Sequence, residues 1–217
     1  MLRSLLKAAA AVRPGLLAAA LLAVWIAMLW VGLGRLDRAI LETMYVGDRP
    51  YLEFIAQQAG HLGAPEAIMV LTIGASILLI TRQQYWHAAL PPFATLFAHE
   101  IAVLQRDSIG RPRPAGFTGL EHLQAPSFPP TRVVDPMTAY LLVGLLLTNG
   151  GRDSRLAIIA AVLIGASNGV VRIVLGHHWP SDVIAGWALG AAVALVAYQI
   201  ARYLPDRKRF PHPLIER

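Results

Sequence analysis

The chain contains no cysteine. Disulfides, thiolate metal sites and cysteine nucleophiles are therefore excluded. Charge is also scarce: only 15% of the 217 residues are Asp, Glu, Lys or Arg, whereas 56% are hydrophobic. A soluble domain carries about a quarter charged residues. The deficit is uneven, because the apolar residues collect into blocks of bilayer length. That pattern points to an integral membrane protein with one membrane domain. His99 and Glu100 are adjacent, but no second histidine stands at metalloprotease spacing from them, so a zinc site is rejected. No metal and no cofactor is expected. The net charge of +6 fits contact with anionic lipid headgroups and membrane topology better than binding to nucleic acid.

The apolar blocks set out an all-α, polytopic membrane bundle. The first, 16–33, follows Arg3, Lys7 and Arg13. It is too long for the apolar region of a signal peptide and lacks a clear cleavage site, so it reads as a retained anchor. An amphipathic stretch, 35–63, follows, in which Leu41, Met44, Tyr45, Tyr51, Phe54 and Ile55 suit a membrane interface. Five further blocks cover 65–81, 85–104, 133–147, 154–175 and 180–203. Each reads as a helix, since a lipid-exposed segment must satisfy its own backbone. Six transmembrane helices are thus expected, although some blocks fall short of the roughly 20 residues of a full span. A short basic tail, 204–217, completes the chain.

An even number of spans puts both termini on one side. Arg3, Lys7, Arg13, Arg82, Arg152, Arg155, Arg202, Arg207, Lys208, Arg209 and Arg217 then share it, and the positive-inside rule makes it the cytoplasm. A second group, Arg106, Arg111, Arg113, Arg132 and Arg172, falls at the opposite ends of the later spans. Five translocated arginines call for a specific explanation.

Two stretches offer one. In "RDSIGRPRP", Arg106 to Pro114, three arginines and two prolines directly follow an apolar block. Guanidinium groups bind phosphate oxygens as forks, and the prolines stiffen the loop. Read alone, the stretch fits a lipid-headgroup anchor better. In "RIVLGHHWPSDVIAG", Arg172 to Gly186, His178 and Asp182 stand four apart around Pro180. If a helix starts at Pro180, Asp182 lies in its first turn, within reach of one imidazole nitrogen, leaving the other as a base or nucleophile. A surface histidine beside an aspartate that favours the helix dipole is the plainer alternative.

Together these stretches resemble the type 2 phosphatidic acid phosphatase superfamily, which includes the vanadium haloperoxidases. The family pattern is Lys-x6-Arg-Pro, then Pro-Ser-Gly-His, then Ser-Arg-x5-His-x3-Asp. Arg106 stands at the lysine, and Arg113 and Pro114 match the Arg-Pro. Arg172, His178 and Asp182 match the third motif, with Val171 in place of its serine. The resemblance covers residues 50–203 and implies His178 as the nucleophile that forms a phosphohistidine, Asp182 as its orienting partner, and Arg106, Arg113 and Arg172 as the phosphate clamp.

The middle motif departs. Where the family has Ser-Phe-Pro-Ser-Gly-His, this chain reads "SFPPTR", so that Pro130, Thr131 and Arg132 replace serine, glycine and histidine. Arginine stays protonated and is a poor proton donor, and Pro130 has no N–H to offer an anion. Thr131 and Arg132 still suit phosphate binding. Loss of general acid catalysis costs about 10²–10⁴-fold, and less for a diphosphate, whose leaving group needs little protonation. Glu121 and His122 are candidate replacement acids, although solvated loop residues is the plainer reading of both. The neighbouring His177 is disfavoured as nucleophile by motif register.

The resemblance implies a membrane lipid phosphatase, of reduced or altered activity, acting on a phospholipid or isoprenoid-phosphate headgroup at the outer face of the cytoplasmic membrane. Phosphatidic acid, phosphatidylglycerol phosphate and undecaprenyl diphosphate are the substrates it suggests. The alternative is an inactive member that binds anionic headgroups. A haloperoxidase is a distant third, because those enzymes are largely soluble.

Overall fold

The computed structural model describes residues 14–117, 125–148 and 152–205. Glu121 and His122 lie outside the described residues, as do the N-terminal basic residues Arg3, Lys7 and Arg13 and most of the basic tail. Among the described residues all regular structure is helical. The helices are α1 (Pro14–Trp30), α2 (Arg35–Met44), α3 (Pro50–Gly60), α4 (Pro65–Thr81), α5 (Tyr85–Ile109), α6 (Thr131–Leu147), α7 (Arg152–Val174) and α8 (Pro180–Ala201). A 3-10 turn, His61–Gly63, joins α3 to α4.

Each expected apolar block is a helix, but the expectation of six spans needs correction. Three described stretches are long and apolar enough to cross a membrane: Pro50–Thr81, Ser154–Val174 and Pro180–Ala201. A fourth arises only if α1 and α2 are counted as one span, and they are bent by 99° at their junction. Helices α1 and α6 have 17 residues each and fall short in length. Helix α5 is long, at 25 residues, but polar, with His87, His99, Glu100, Gln105 and Arg106 along it. The amphipathic stretch is also redrawn, since α3 continues through the 3-10 turn into the long apolar stretch. Exposed apolar side chains such as Met69, Val70, Phe93, Phe97 and Leu163 cover the outside, as a membrane protein requires.

Helix α6 packs between α5, α7 and α8, and α1 lies along α8. Small residues make this closeness possible. Ala185, Gly186, Ala188, Gly190, Ala192, Ala194, Ala197 and Ala201 are all buried on α8. A Cβ added at Gly190 would come within 2.6 Å of the Val134 carbonyl oxygen, so the two backbones nearly touch, as at helix contacts in membranes. Thr138 Oγ1 bridges them, donating to the carbonyls of Val134 (2.9 Å) and Gly190 (3.2 Å). Pro91 and Pro92 interrupt α5. Pro92 has no N–H for the Ala88 carbonyl one turn earlier, and Ser76 Oγ of α4 donates to that carbonyl instead, at 2.6 Å.

One end of the bundle gathers the polar segments. Helix α5 closes at Gly110, whose φ of 62° turns the chain out of the helix. That puts Arg106 on its last turn and Arg111 and Arg113 in the loop beyond. Helix α7 ends similarly, at Gly176 with φ 69°. His177 and His178 follow, then Pro180 at the first position of α8.

Candidate active site

His178 is buried, with 6% of its surface exposed. Its Nδ1 lies 2.8 Å from the carbonyl oxygen of Ser127. A carbonyl only accepts, so Nδ1 carries the proton and Nε2 is unprotonated, an acceptor. Nε2 faces Arg113, whose Nη1 is 3.4 Å away. Burial, then the Arg113 charge, hold the imidazole well below its ordinary protonation range, against the opposing pull of the Ser127 carbonyl. His178 is thus a neutral imidazole with its nucleophilic nitrogen turned towards a cation.

Asp182 reaches His178 less directly than the spacing suggests. The two approach to 4.0 Å, but the imidazole Nδ1–H donates to the backbone carbonyl of Ser127 instead. Asp182 holds that segment instead. Its Oδ2 accepts from Ser127 Oγ at 2.6 Å and from the Trp179 amide at 3.1 Å. Its Oδ1 accepts from Arg111 Nη1 at 2.7 Å. The carboxylate is fully buried, and these charge-assisted bonds offset its desolvation. The relay therefore runs from Asp182 through Ser127 to His178.

The motif comparison gave no role to Arg111 or to Ser127, the serine that opens the SFPPTR stretch, yet both bind Asp182. Arg111 is 7% exposed. Besides Asp182, it donates to Ser181 Oγ at 3.3 Å and to the carbonyls of Met28 and Leu29 at 2.9 and 3.1 Å. Its guanidinium carbon stands 4.4 Å from the centre of the Phe128 ring, a cation–π contact. Gly32 makes room for it, since a Cβ there would lie 2.6 Å from Nη1. One side chain thus ties the end of α1 to the start of α8. Asp37 of α2 adds a second tie, accepting from the Ser181 amide (2.9 Å) and hydroxyl (2.6 Å).

The remaining arginines gather around the histidines. Arg113 donates to the carbonyls of Ala125 (2.8 Å) and His177 (3.0 Å). Burial, then the nearby Arg106, lower its proton affinity, although it remains charged at neutral pH. Among the described residues Arg106 pairs with its neighbour Asp107, at 3.8 Å, and its Nε is buried without a hydrogen-bond partner there. Arg172 Nη1 lies 3.3 Å from His177 Nδ1, and Arg172 feels the charges of Arg132 and Arg113. Thr131 opens α6 and is half-buried, and Arg132 beside it is exposed. Arg132 makes no ion pair with Asp135 among the described residues. His99 Nδ1 takes that carboxylate, at 2.8 Å. Arg132 instead lines a cavity of about 340 Å³ with Arg172 and His177. Among the described residues no cluster of metal-ligating side chains occurs.

A model of the PAP2 superfamily matches residues 66–206. The chain belongs to that superfamily. Its similarity to individual PAP2 proteins is more distant. It is 31% identical over 153 residues to a decaprenylphosphoryl-5-phosphoribose phosphatase of Mycobacterium tuberculosis, covering 69% of this chain and 80% of the relative. It is 38% identical over 101 residues to an undecaprenyl-diphosphatase of Sulfolobus acidocaldarius, covering 44% of this chain and 46% of the relative, so the chain matches under half of that protein. Among solved structures, a transmembrane PAP2-type phosphatidylglycerolphosphate phosphatase from Bacillus subtilis superposes with a TM-score of 0.75. The match covers 92% of this chain and 99% of the other, at 21% identity. The all-helical PAP2 fold is therefore shared, and the chain is a membrane-type member.

Proposed function

We propose that the chain is a lipid phosphatase working through a phosphohistidine at His178. The observation that carries this is the pairing at the imidazole, with Nδ1–H given to the Ser127 carbonyl and Nε2 facing Arg113. In the first step Nε2 attacks phosphorus, an N–P bond forms, and the P–O bond to the lipid breaks with its electron pair on the departing oxygen. In the second, water attacks phosphorus, the N–P bond breaks with its electron pair returning to Nε2, and inorganic phosphate leaves; the proton that water gives up to solvent balances the one the departing oxygen takes from it. Arg106, Arg113 and Arg172 hold the phosphoryl oxygens as charge develops, with Thr131 and Arg132 at the leaving side. The relatives' names support a lipid phosphate or diphosphate substrate, of phospholipid or isoprenoid type. The bundle sits in the cytoplasmic membrane. Counting the bent α1–α2 pair as one span gives four crossings, an even number that keeps both termini in the cytoplasm and the arginine-rich end outside, as the bias of the remaining arginines and lysines supports.

A second reading has its own observation. Arg132 occupies the position of the family's proton donor, and His177 nearby is held neutral, its pKa lowered to about 4 by burial and by Arg172 and Arg113. A protein that binds anionic headgroups without turning them over fits those facts. Phosphate release from defined lipid phosphates by the purified protein separates the two. The phosphatase reading expects release that His178→Ala abolishes. Equal release by wild type and variant would overturn the assigned nucleophile, and no release from any lipid phosphate would favour the binding reading.

A further inference from the structure

Asp135 stands three residues after Arg132 on α6. Side chains at that spacing share a helix face, with Cβ atoms about 5–6 Å apart, and an arginine and an aspartate there readily form an ion pair. This pair is not formed. Asp135 Oδ2 instead meets His99 Nδ1 of α5, at 2.8 Å. The Arg132 charge still acts on the carboxylate. Its second oxygen, Oδ1, is buried and has no hydrogen-bond partner among the described residues. Arg132 has no hydrogen-bond or ion-pair partner there either, and it lines the cavity that holds Arg172 and His177.

A carboxylate paired with Arg132 would compete with any anion for the same guanidinium donors. Asp135 is the carboxylate that helix spacing brings to Arg132, and the imidazole bond is what directs it elsewhere. A carboxylate only accepts, so His99 Nδ1 carries the proton, in the neutral ring as well as in the charged one. His99 therefore holds Asp135 without needing a charge of its own. It stands seven residues before Arg106 on α5, about two turns. The helix that supplies Arg106 to the phosphate clamp thus also carries the partner of Asp135.

We propose that His99 is a positioning residue: it keeps Asp135 off Arg132, so that the Arg132 guanidinium stays free for the phosphate group of the substrate. The inference rests on the reading of Arg132 as a phosphate ligand. His99 touches neither the phosphate nor His178 and acts through Asp135 alone. Without the imidazole, Asp135 loses its one hydrogen-bond donor among the described residues. Arg132, three residues back on the same helix, is the donor that replaces it. Phosphate must then break a guanidinium–carboxylate pair before it can bind. The loss falls on binding, so KM rises while kcat changes much less.

Thermal shifts of the full chain in detergent, titrated with inorganic phosphate, read the binding without requiring turnover. His99→Leu removes the donor and should raise the phosphate concentration needed for half the effect about fivefold, the upper range for a partly exposed ion pair. His99→Gln keeps an amide that can donate to Asp135 and should lose less. Asp135→Asn removes the competing charge and should bind phosphate at least as tightly as the wild type. His99→Leu combined with Asp135→Asn should recover wild-type affinity. A purely structural role for His99 cannot produce that recovery, because lost packing would lower the melting temperature of the single and the double variant alike. Phosphate binding by His99→Leu equal to that of the wild type would overturn the positioning role and leave the phosphate site standing. Equally weak binding by His99→Leu and the double variant would do the same. Phosphate that stabilises neither the wild type nor any variant would sink the phosphate site and the positioning role together.

Discussion

Ser127 holds His178 and Asp182 at once: its carbonyl oxygen lies 2.8 Å from the imidazole Nδ1, and its hydroxyl donates to the carboxylate at 2.6 Å. The residue that fixes the tautomer of the proposed nucleophile is thus fixed by the acid assigned to orient it. Ser127→Ala keeps the carbonyl and removes only the hydroxyl. It should cost about 1–3 kcal/mol, the range for leaving a buried acceptor short of a donor. Thermal unfolding of the purified variant measures that cost. Activity should fall without vanishing, because the acceptor for Nδ1–H is the backbone carbonyl, which the variant keeps.

Arg111 should matter for folding more than its absence from the family motif suggests. Arg111→Ala strips a buried charge partner from Asp182 and frees the Met28 and Leu29 carbonyls. A loss of roughly 3–5 kcal/mol is expected, as for breaking a buried ion pair from one side. Adding Asp182→Asn to that variant should cost much less than it does in the wild type. Denaturant titrations of the two single variants and the double variant give the coupling, and additive costs would show that the pair is not linked.

The pH dependence follows from two histidines outside the helices. Both have folded-state pKa values below the ordinary value of about 6.5: His177 at about 4 and His178 well below its usual range. The unfolded chain therefore takes up protons that the folded chain refuses. Their contribution to stability is present above pH 6.5 or so and declines as pH falls, for His177 down to about pH 4. Melting temperatures measured from pH 7.5 to 4 should drop, and His177→Gln should flatten part of that drop. Catalysis should show the same sign. With substrate ionisation divided out, the acid limb of kcat/KM should lie below pH 6.5, because Nε2 stays unprotonated there.

Much of the site was legible in the amino-acid order. Pro180 opens α8 and Asp182 falls in its first turn, as their local preferences dictate, and the guanidinium cluster follows from Arg106, Arg113 and Arg172 standing at the ends of apolar helices. What escaped notice depends on contacts between distant segments. Arg111 is one of three arginines in a short run, and nothing local separates it from Arg113. Its partners are 71 residues ahead, at Asp182, and 83 behind, at Met28. Asp37 and Ser181 are 144 apart. Asp135 stands three residues after Arg132 on α6, yet its partner is His99, which α5 brings to it. The number of spans was misjudged because apolar blocks were equated with crossings. The short α6 is buried among its neighbours, and α5 carries polar residues into the bundle.

The central claim is that His178 Nε2 becomes covalently phosphorylated. It is tested most directly by quenching the enzyme at high pH, where phosphohistidine survives, during turnover of a lipid diphosphate labelled on its terminal phosphorus. Peptide mapping then locates the label. The account predicts label on His178 at Nε2, absent in His178→Ala and in reactions chased with unlabelled substrate. Label on His177, or turnover with no labelled histidine in rapidly quenched reactions, would contradict it.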